Sequence, residues 1–301
     1  MLKVAWRELT YLLLKLSVLA ISTQFLVYLL PGDPVEMILE QTGLSMPPEQ
    51  LRSELGLDQS LIKRVSKNLI SQFKGDFGVS LYSKKPVFAE LIIAFTTTAK
   101  LVSAGYCLGI LMVCILLPPM LGMRRRNYSA RSGLKKLHLL WNATPSPILA
   151  LVWLYLGSKV IVFGALVPMF WLGSLFLSTG IAINYTRFLL QIWEDEQPKV
   201  LWNSARARGL SPIIANLKYA IAPRLGAFLS WTSTHLGQLF AGLVVTELVF
   251  NFSGLGSLFL EALSKRDYPM IQGTFLWCGL VLFVGQSLGD LLAFLWNPRL
   301  R

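Results

Sequence analysis

Six stretches of this chain stay apolar for the length needed to cross a bilayer, and that pattern leaves few folds open. A helix spanning the hydrocarbon core needs about 20 mostly apolar residues, because lipid offers no partner for a bare backbone amide. Thr10–Leu30, Leu101–Leu121, Leu137–Gly157, Pro168–Trp193, Ile221–Val249 and Ile271–Trp296 reach that length. Charged residues are 15% of the chain and hydrophobic ones 54%, where a soluble domain carries about 25% charged. The expectation is an all-α integral membrane protein with six transmembrane helices. Val160–Val167 is apolar but too short to span. It reads as a turn re-entering the interface before Pro168 opens the fourth helix, since proline suits a first helical turn.

Orientation follows from the short loops. Lys and Arg number 28 against 16 Asp and Glu. In a soluble protein that surplus would suggest a nucleic-acid partner, but here the basic residues lie mostly outside the apolar runs and read as topological anchors. Lys3 and Arg7 precede the first run; Arg124, Arg125, Arg126, Arg131, Lys135 and Lys136 lie between the second and third. Arg206 and Arg208 lie between the fourth and fifth, and Arg299 and Arg301 end the chain. All four places fall on one side of a six-span topology, which puts both termini in the cytoplasm.

The expected organisation is an N-terminus and first span over 1–30, an extracytoplasmic cap over 31–100, and a core transmembrane bundle over 101–301 with a cytoplasmic loop at about 194–220. The cap holds "MPPEQLRSEL", which opens like a helix with prolines and early acids, and "KGDFG", which reads as a turn. Cys107, Cys114 and Cys278 sit inside apolar runs and read as packing residues. The N-terminal run is too long for the core of a cleavable signal.

No catalytic constellation is apparent. The chain lacks a G-x-x-x-x-G-K-[ST] phosphate loop. His138 and His235 have no metal-ligand spacing around them and read as helix-end or packing residues. Two acids fall within apolar runs, Glu247 near the outer end of the fifth and Asp290 near the inner end of the sixth. Each lies close enough to a membrane surface to be satisfied there, so neither marks an ion pathway by itself.

The element "NSARARGLSP", residues 203–212, stands out between two apolar runs. Ser204, Ala205 and Ala207 keep one helical surface small, Gly209 can end the helix in the left-handed conformation, and Ser211 with Pro212 can start another. On local sequence alone two readings stand: a rigid docking element, or an amphipathic turn with its arginines at lipid headgroups.

"ARARGLS" (205–211) resembles the cytoplasmic coupling motif of permease subunits of binding-protein-dependent ABC importers. The chain is similar in particular to the first permease of the dipeptide, oligopeptide and nickel importers. The likeness runs through "PGDP" (31–34), "LGLDQSL" (55–61), "GDFGVS" (75–80), "TELVFNFSGLGSL" (246–258), "RDYPMIQG" (266–273) and "LGDLLAFLWNPRLR" at the end. Asn203 and Ser204 stand where the broader motif has Glu and Ala.

The resemblance implies a multi-pass protein of the bacterial cytoplasmic (inner) membrane, one of two homologous permeases. Two ATPase subunits that use ATP and Mg, an extracytoplasmic binding protein and the bilayer would be its partners; the chain itself would bind no cofactor, metal or nucleic acid and would not be an enzyme. The cargo would be peptides or nickel and metal-chelate complexes. Asn203, Ser204, Ala205, Arg206, Ala207, Arg208, Gly209, Leu210, Ser211 and Pro212 would contact an ATPase groove, with Ala205 and Leu210 packing into it and Arg206 and Arg208 pairing with acids at its rim. "GLGSLFLEALSKRDYP" would join the outer surface with the cap. Ser230, Thr232, Ser233, Thr234 and Gln238 are candidates to line the pathway, and helix-to-helix packing is an equal reading of them. The alternative is an ion-coupled secondary transporter acting as a single chain.

Overall fold

The long apolar runs become helices, with breaks where proline and glycine fall. The computed structural model describes residues 2–29, 35, 39, 47–54, 61–122, 128–162, 168–195, 205, 207–218 and 224–296. The helices are α1 (Leu2–Leu29), α2 (Pro48–Glu54), α3 (Leu61–Phe73), α4 (Val87–Gly122), α5 (Tyr128–Ala143), α6 (Ser146–Val162), α7 (Met169–Asp195), α8 (Pro212–Asn216), α9 (Leu225–Val249), α10 (Leu255–Lys265) and α11 (Tyr268–Trp296). Among the described residues the one β contact is an isolated antiparallel bridge between Val79 and Pro86.

By length and composition α4 and α11 can cross a bilayer, and α5 with α6 can do so as a bent pair. With 28, 27 and 25 residues, α1, α7 and α9 also exceed the about 20 that a crossing needs. The 36 residues of α4 make a rod of about 54 Å at 1.5 Å per residue, longer than the hydrocarbon core. It begins at Val87, within the segment read from sequence as running to Lys100.

The third apolar run, expected as one span over Leu137–Gly157, is instead broken. Ser132–Ala143 and Ser146–Lys159 meet at 109°. The cause is local: Pro145 has no amide hydrogen to continue α5 and disfavours helical geometry at Thr144. Thr144 closes α5 by donating its amide and hydroxyl to Leu140 O at 3.1 and 2.8 Å, while Pro145 O receives Ile148 N at 3.0 Å to start α6.

The chain forms two compact units, one of Thr98–Phe252 with Gly285–Arg301, the other of Leu2–Thr97 with Ser253–Val284. In the first, α9 packs on α6 and α7, and α7 also packs on α5 and α6. Gly105 and Gly109, one turn apart on α4, let that helix approach α7. A Cβ at Gly109 would lie 2.8 Å from Ile181 Cγ2 and 3.3 Å from Ser178 O. This is the small-x-x-x-small spacing by which membrane helices bring backbones close, since lipid supplies no hydrophobic drive between them. Gly285 and Gly289 repeat it on α11, facing Leu236 and Ser233 of α9. Tyr185 fills the interior, with ring centroids 5.1 Å from Phe228 and 5.5 Å from Trp231, and its hydroxyl 3.0 Å from that of Tyr106. Large apolar side chains such as Ile115, Leu139 and Leu140 point outward, as a surface solvated by acyl chains favours.

In the second unit Val87 and Leu91 of α4 pack with Leu255 and Ala262 of α10 and with Tyr268 and Ile271 of α11. α1 packs on α3, and buried Gln24 joins them through amides. It donates to Gln72 Oε1 at 3.2 Å and accepts from Asn68 at 3.3 Å and Gln272 at 3.4 Å.

Candidate functional site

The elbow at 205–218 is built by its own sequence. Gly209 has φ of 72°, a left-handed conformation that costs a side-chain-bearing residue about 1–2 kcal/mol. The chain reverses there, and Leu210 N reaches back to Ala205 O at 3.2 Å. Ser211 then takes an extended conformation as N-cap of α8, its Oγ accepting from Ile214 N at 3.4 Å, with Pro212 opening the helix. Ala215 N returns to Ser211 O at 2.9 Å. Each of the groups that a helix start leaves without a partner needs such a cap.

Exposure sorts the residues of this element. Ala207, Arg208, Gly209 and Ser211 are exposed and Leu210 is half-buried. Ala205 is 1% exposed, so its side chain is turned into this chain. Ile214 and Leu217, which the sequence reading passed over, are the exposed large apolar side chains beside the elbow. Their signal was available: apolar residues at positions a short amphipathic helix sets outward. Asn203, Ser204 and Arg206 lie outside the described residues.

The residues suggested as pathway lining all belong to α9 and divide by face. Ser230 and Thr234 are exposed, one helical turn apart, and Thr232 is half-buried. Ser233 is buried and donates to Asp290 Oδ1 at 2.6 Å, a bond that joins α9 to the end of α11. The side chain of Gln238 lies outside the described residues.

The other apolar-run acid, Glu247, is also inside: it is 1% exposed and accepts from Thr98 Oγ1 at 2.6 Å. A carboxylate in hydrocarbon is expensive without a donor, and Thr98 of α4 supplies one. His138 and His235, separate in sequence, line one cleft with Arg187 between α5, α7 and α9.

A second cluster lies where "GDFGVS" and "RDYPMIQG" meet. Asp267 is 4% exposed and receives the Ser80 hydroxyl, Leu81 N at 3.2 Å, Tyr82 N at 3.4 Å and Met270 N at 3.3 Å. It caps α11 and fixes the turn before α4 with one carboxylate. Lys265 lies over the Tyr82 ring, 3.7 Å from its centroid, and pairs with Glu261. The hydrogen bond from Lys265 to Glu261 raises the ammonium pKa above its ordinary value.

Residues 105–301 match the family described as binding-protein-dependent transport system inner membrane component. The dipeptide transport system permease protein of Escherichia coli strain K12 is 27% identical over 320 aligned residues, covering 91% of each chain. The glutathione transport system permease protein of Salmonella paratyphi A is 27% identical over 308, covering 100% of this chain and 99% of the relative. That of Pectobacterium atrosepticum is 28% identical over 290, covering 91% of each. The match spans the elbow, α9 and α11 in one stretch, and this chain belongs to the binding-protein-dependent transport system inner membrane component family, as a permease subunit of an ABC importer.

Proposed function

We propose that this subunit imports small peptides, forming the pathway with a second permease on two ATPase subunits and receiving cargo from a binding protein outside. The peptide assignment rests on the relatives, whose names specify dipeptide and glutathione transport. ATP and Mg are used by the ATPase subunits. The chain crosses the inner membrane six times with both termini in the cytoplasm, an arrangement favoured by the side on which the short basic loops fall.

The observation that carries the mechanism is the capped elbow. An ATPase that closes on nucleotide can move membrane helices only through a body stiff enough to transmit displacement. Gly209 and the Ser211 cap give the loop one conformation, and Ala207, Arg208, Leu210 and Ile214 present its outer surface. Arg208 would pair with acids of the ATPase groove, while Ile214 and Leu217 supply apolar contact area. Ser230 and Thr234, on the exposed face of α9, line the pathway.

The test is a cysteine pair. An R208C variant, combined with cysteines along the ATPase groove, is expected to form a disulfide cross-link whose yield changes when nucleotide is added. Absence of any cross-link in a complex that still transports would remove the coupling role from this loop. A single-chain ion-coupled transporter would instead take up cargo without ATPase subunits.

A further inference from the structure

Within one unit, two adjoining cavities lie among α5, α6, α7 and α9. One, of about 520 Å³, is lined by Lys135, His138, Asn184, Arg187, Gln191 and His235, with no Asp or Glu among its described lining residues. The other, of about 530 Å³, has Trp141, Leu149, Phe176, Ile181 and Leu239 in its wall. Asn142, Asn184, Trp231 and His235 belong to both. The two cavities therefore adjoin, one carrying the basic side chains and the other the larger share of apolar ones.

Arg187 Nη1 is buried and donates to nothing among the described residues, although a guanidinium has five donors and no way to shed its charge. Its neighbours do not supply what it needs. The Asn142 amide donates to His138 O at 2.9 Å and to Asn184 Oδ1 at 3.1 Å, and Asn184 donates to Gly180 O at 2.9 Å. The amide oxygen facing the cleft is therefore already used within it. His235 Nδ1 is held by Trp231 O at 2.8 Å, and Trp231 is stacked on Phe188 at 4.3 Å. Among the described residues the cleft is pre-organised, cationic and without a carboxylate in its lining.

The surroundings identify the ligand class. Beside the cleft, α5 turns Leu137, Leu139 and Leu140 outward, places Lys135 and Lys136 one turn earlier, and meets α6 at 109°. Basic residues one turn before apolar ones on the same helix faces mark where such a helix passes from headgroups into hydrocarbon. A basic pocket between membrane helices that opens beside such a helix has the chemistry of a phospholipid headgroup site. We propose that the cleft binds an anionic phospholipid, its phosphate at Lys135 and Arg187 and an acyl chain in the cavity walled by Trp141, Leu149, Phe176 and Leu239. Assignment to the cytoplasmic leaflet rests on the topology proposed above; the binding itself does not.

The test uses the assembled importer purified from membranes in mild detergent, with phosphatidylglycerol and phosphatidylethanolamine per complex measured by mass spectrometry. Wild type is expected to retain phosphatidylglycerol in preference. R187Q should retain about fivefold less, the loss expected for one basic residue at an anionic headgroup, and R187K should retain it. L239W, which fills the apolar cavity without touching charge, should also lower retention and decides the matter if R187Q fails to assemble. Equal retention in R187Q or L239W overturns the proposal, as does equal retention of the zwitterionic lipid. Displacement of the lipid by millimolar inorganic phosphate would show a site for free phosphate instead. A changed affinity for peptide cargo with lipid content unaltered would assign the cleft to cargo. None of the lipid readouts needs ATP or cargo, so failure of the importer reading would be seen separately.

Discussion

The Ser80 hydroxyl donates to the Asp267 carboxylate, and through that bond the turn before α4 is tied to the first turn of α11. Removing the carboxylate strands Leu81 N, Tyr82 N and the Ser80 hydroxyl together. Each buried donor left without a partner costs about 1–3 kcal/mol, and loss of the cap adds about 1 kcal/mol. Asp267→Ala should therefore lower the thermal unfolding temperature of the detergent-solubilised complex far more than Ser80→Ala. Equal midpoints for the two variants would show that the carboxylate does not organise this junction.

Gly209 tests the elbow without a steric confound. A Cβ there would meet nothing within 4 Å, so the cost of substitution is conformational alone. Asn tolerates the left-handed region, Ala costs about 1–2 kcal/mol, and a β-branched residue costs more. Uptake should fall in the order Gly209, Gly209→Asn, Gly209→Ala, Gly209→Val, while ATP hydrolysis by the assembled complex persists. Parental uptake in Gly209→Val would show that the angle at this residue is not transmitted.

Ser211 contributes differently, through its side chain. Its Oγ caps a helix of only five residues, which has little else to hold its first turn. Ser211→Ala should cost about 0.5–2 kcal/mol locally and weaken coupling, and Ser211→Asp should restore it. The measurement is the ratio of cargo moved to ATP consumed in proteoliposomes; a ratio unchanged by Ser211→Ala would remove the cap from the mechanism.

Asp290 separates an ATP-driven importer from an ion-coupled one. Its bond from Ser233 needs only an acceptor oxygen, which an amide also offers. Asp290→Asn should keep ATP-dependent uptake in vesicles whose proton gradient has been collapsed by an ionophore. Loss of uptake in that variant, with the complex intact, would point to a titrating role.

Gly109 tests the close approach of α4 and α7. A side chain there meets Ile181 and the Ser178 carbonyl, and overpacking of this kind costs about 1–3 kcal/mol. Gly109→Val should reduce the yield of monodisperse protein, and Gly133→Val, where a Cβ meets nothing within 4 Å, should not.

Much of this was legible in the residues themselves. Helix character, the left-handed turn at Gly209 and the Ser211–Pro212 start depend on interactions within a few residues, so local sequence determined them. The break at Thr144–Pro145 was legible too, since a proline after threonine states it, but a count of apolar residues over Leu137–Gly157 hides it. Hydropathy averages do not register a single missing amide.

What tertiary structure alone decided are the meetings between distant segments. Nothing near Asp290 names Ser233, nothing near Glu247 names Thr98, and the two histidines reach one cleft only when α5 and α9 pack on either side of α7. Such pairings depend on which face each helix turns inward. In a chain apolar on almost every face, the hydrophobic pattern carries little of that information; small residues such as Gly105 and Gly109, and buried polar groups that must find partners, decide it instead.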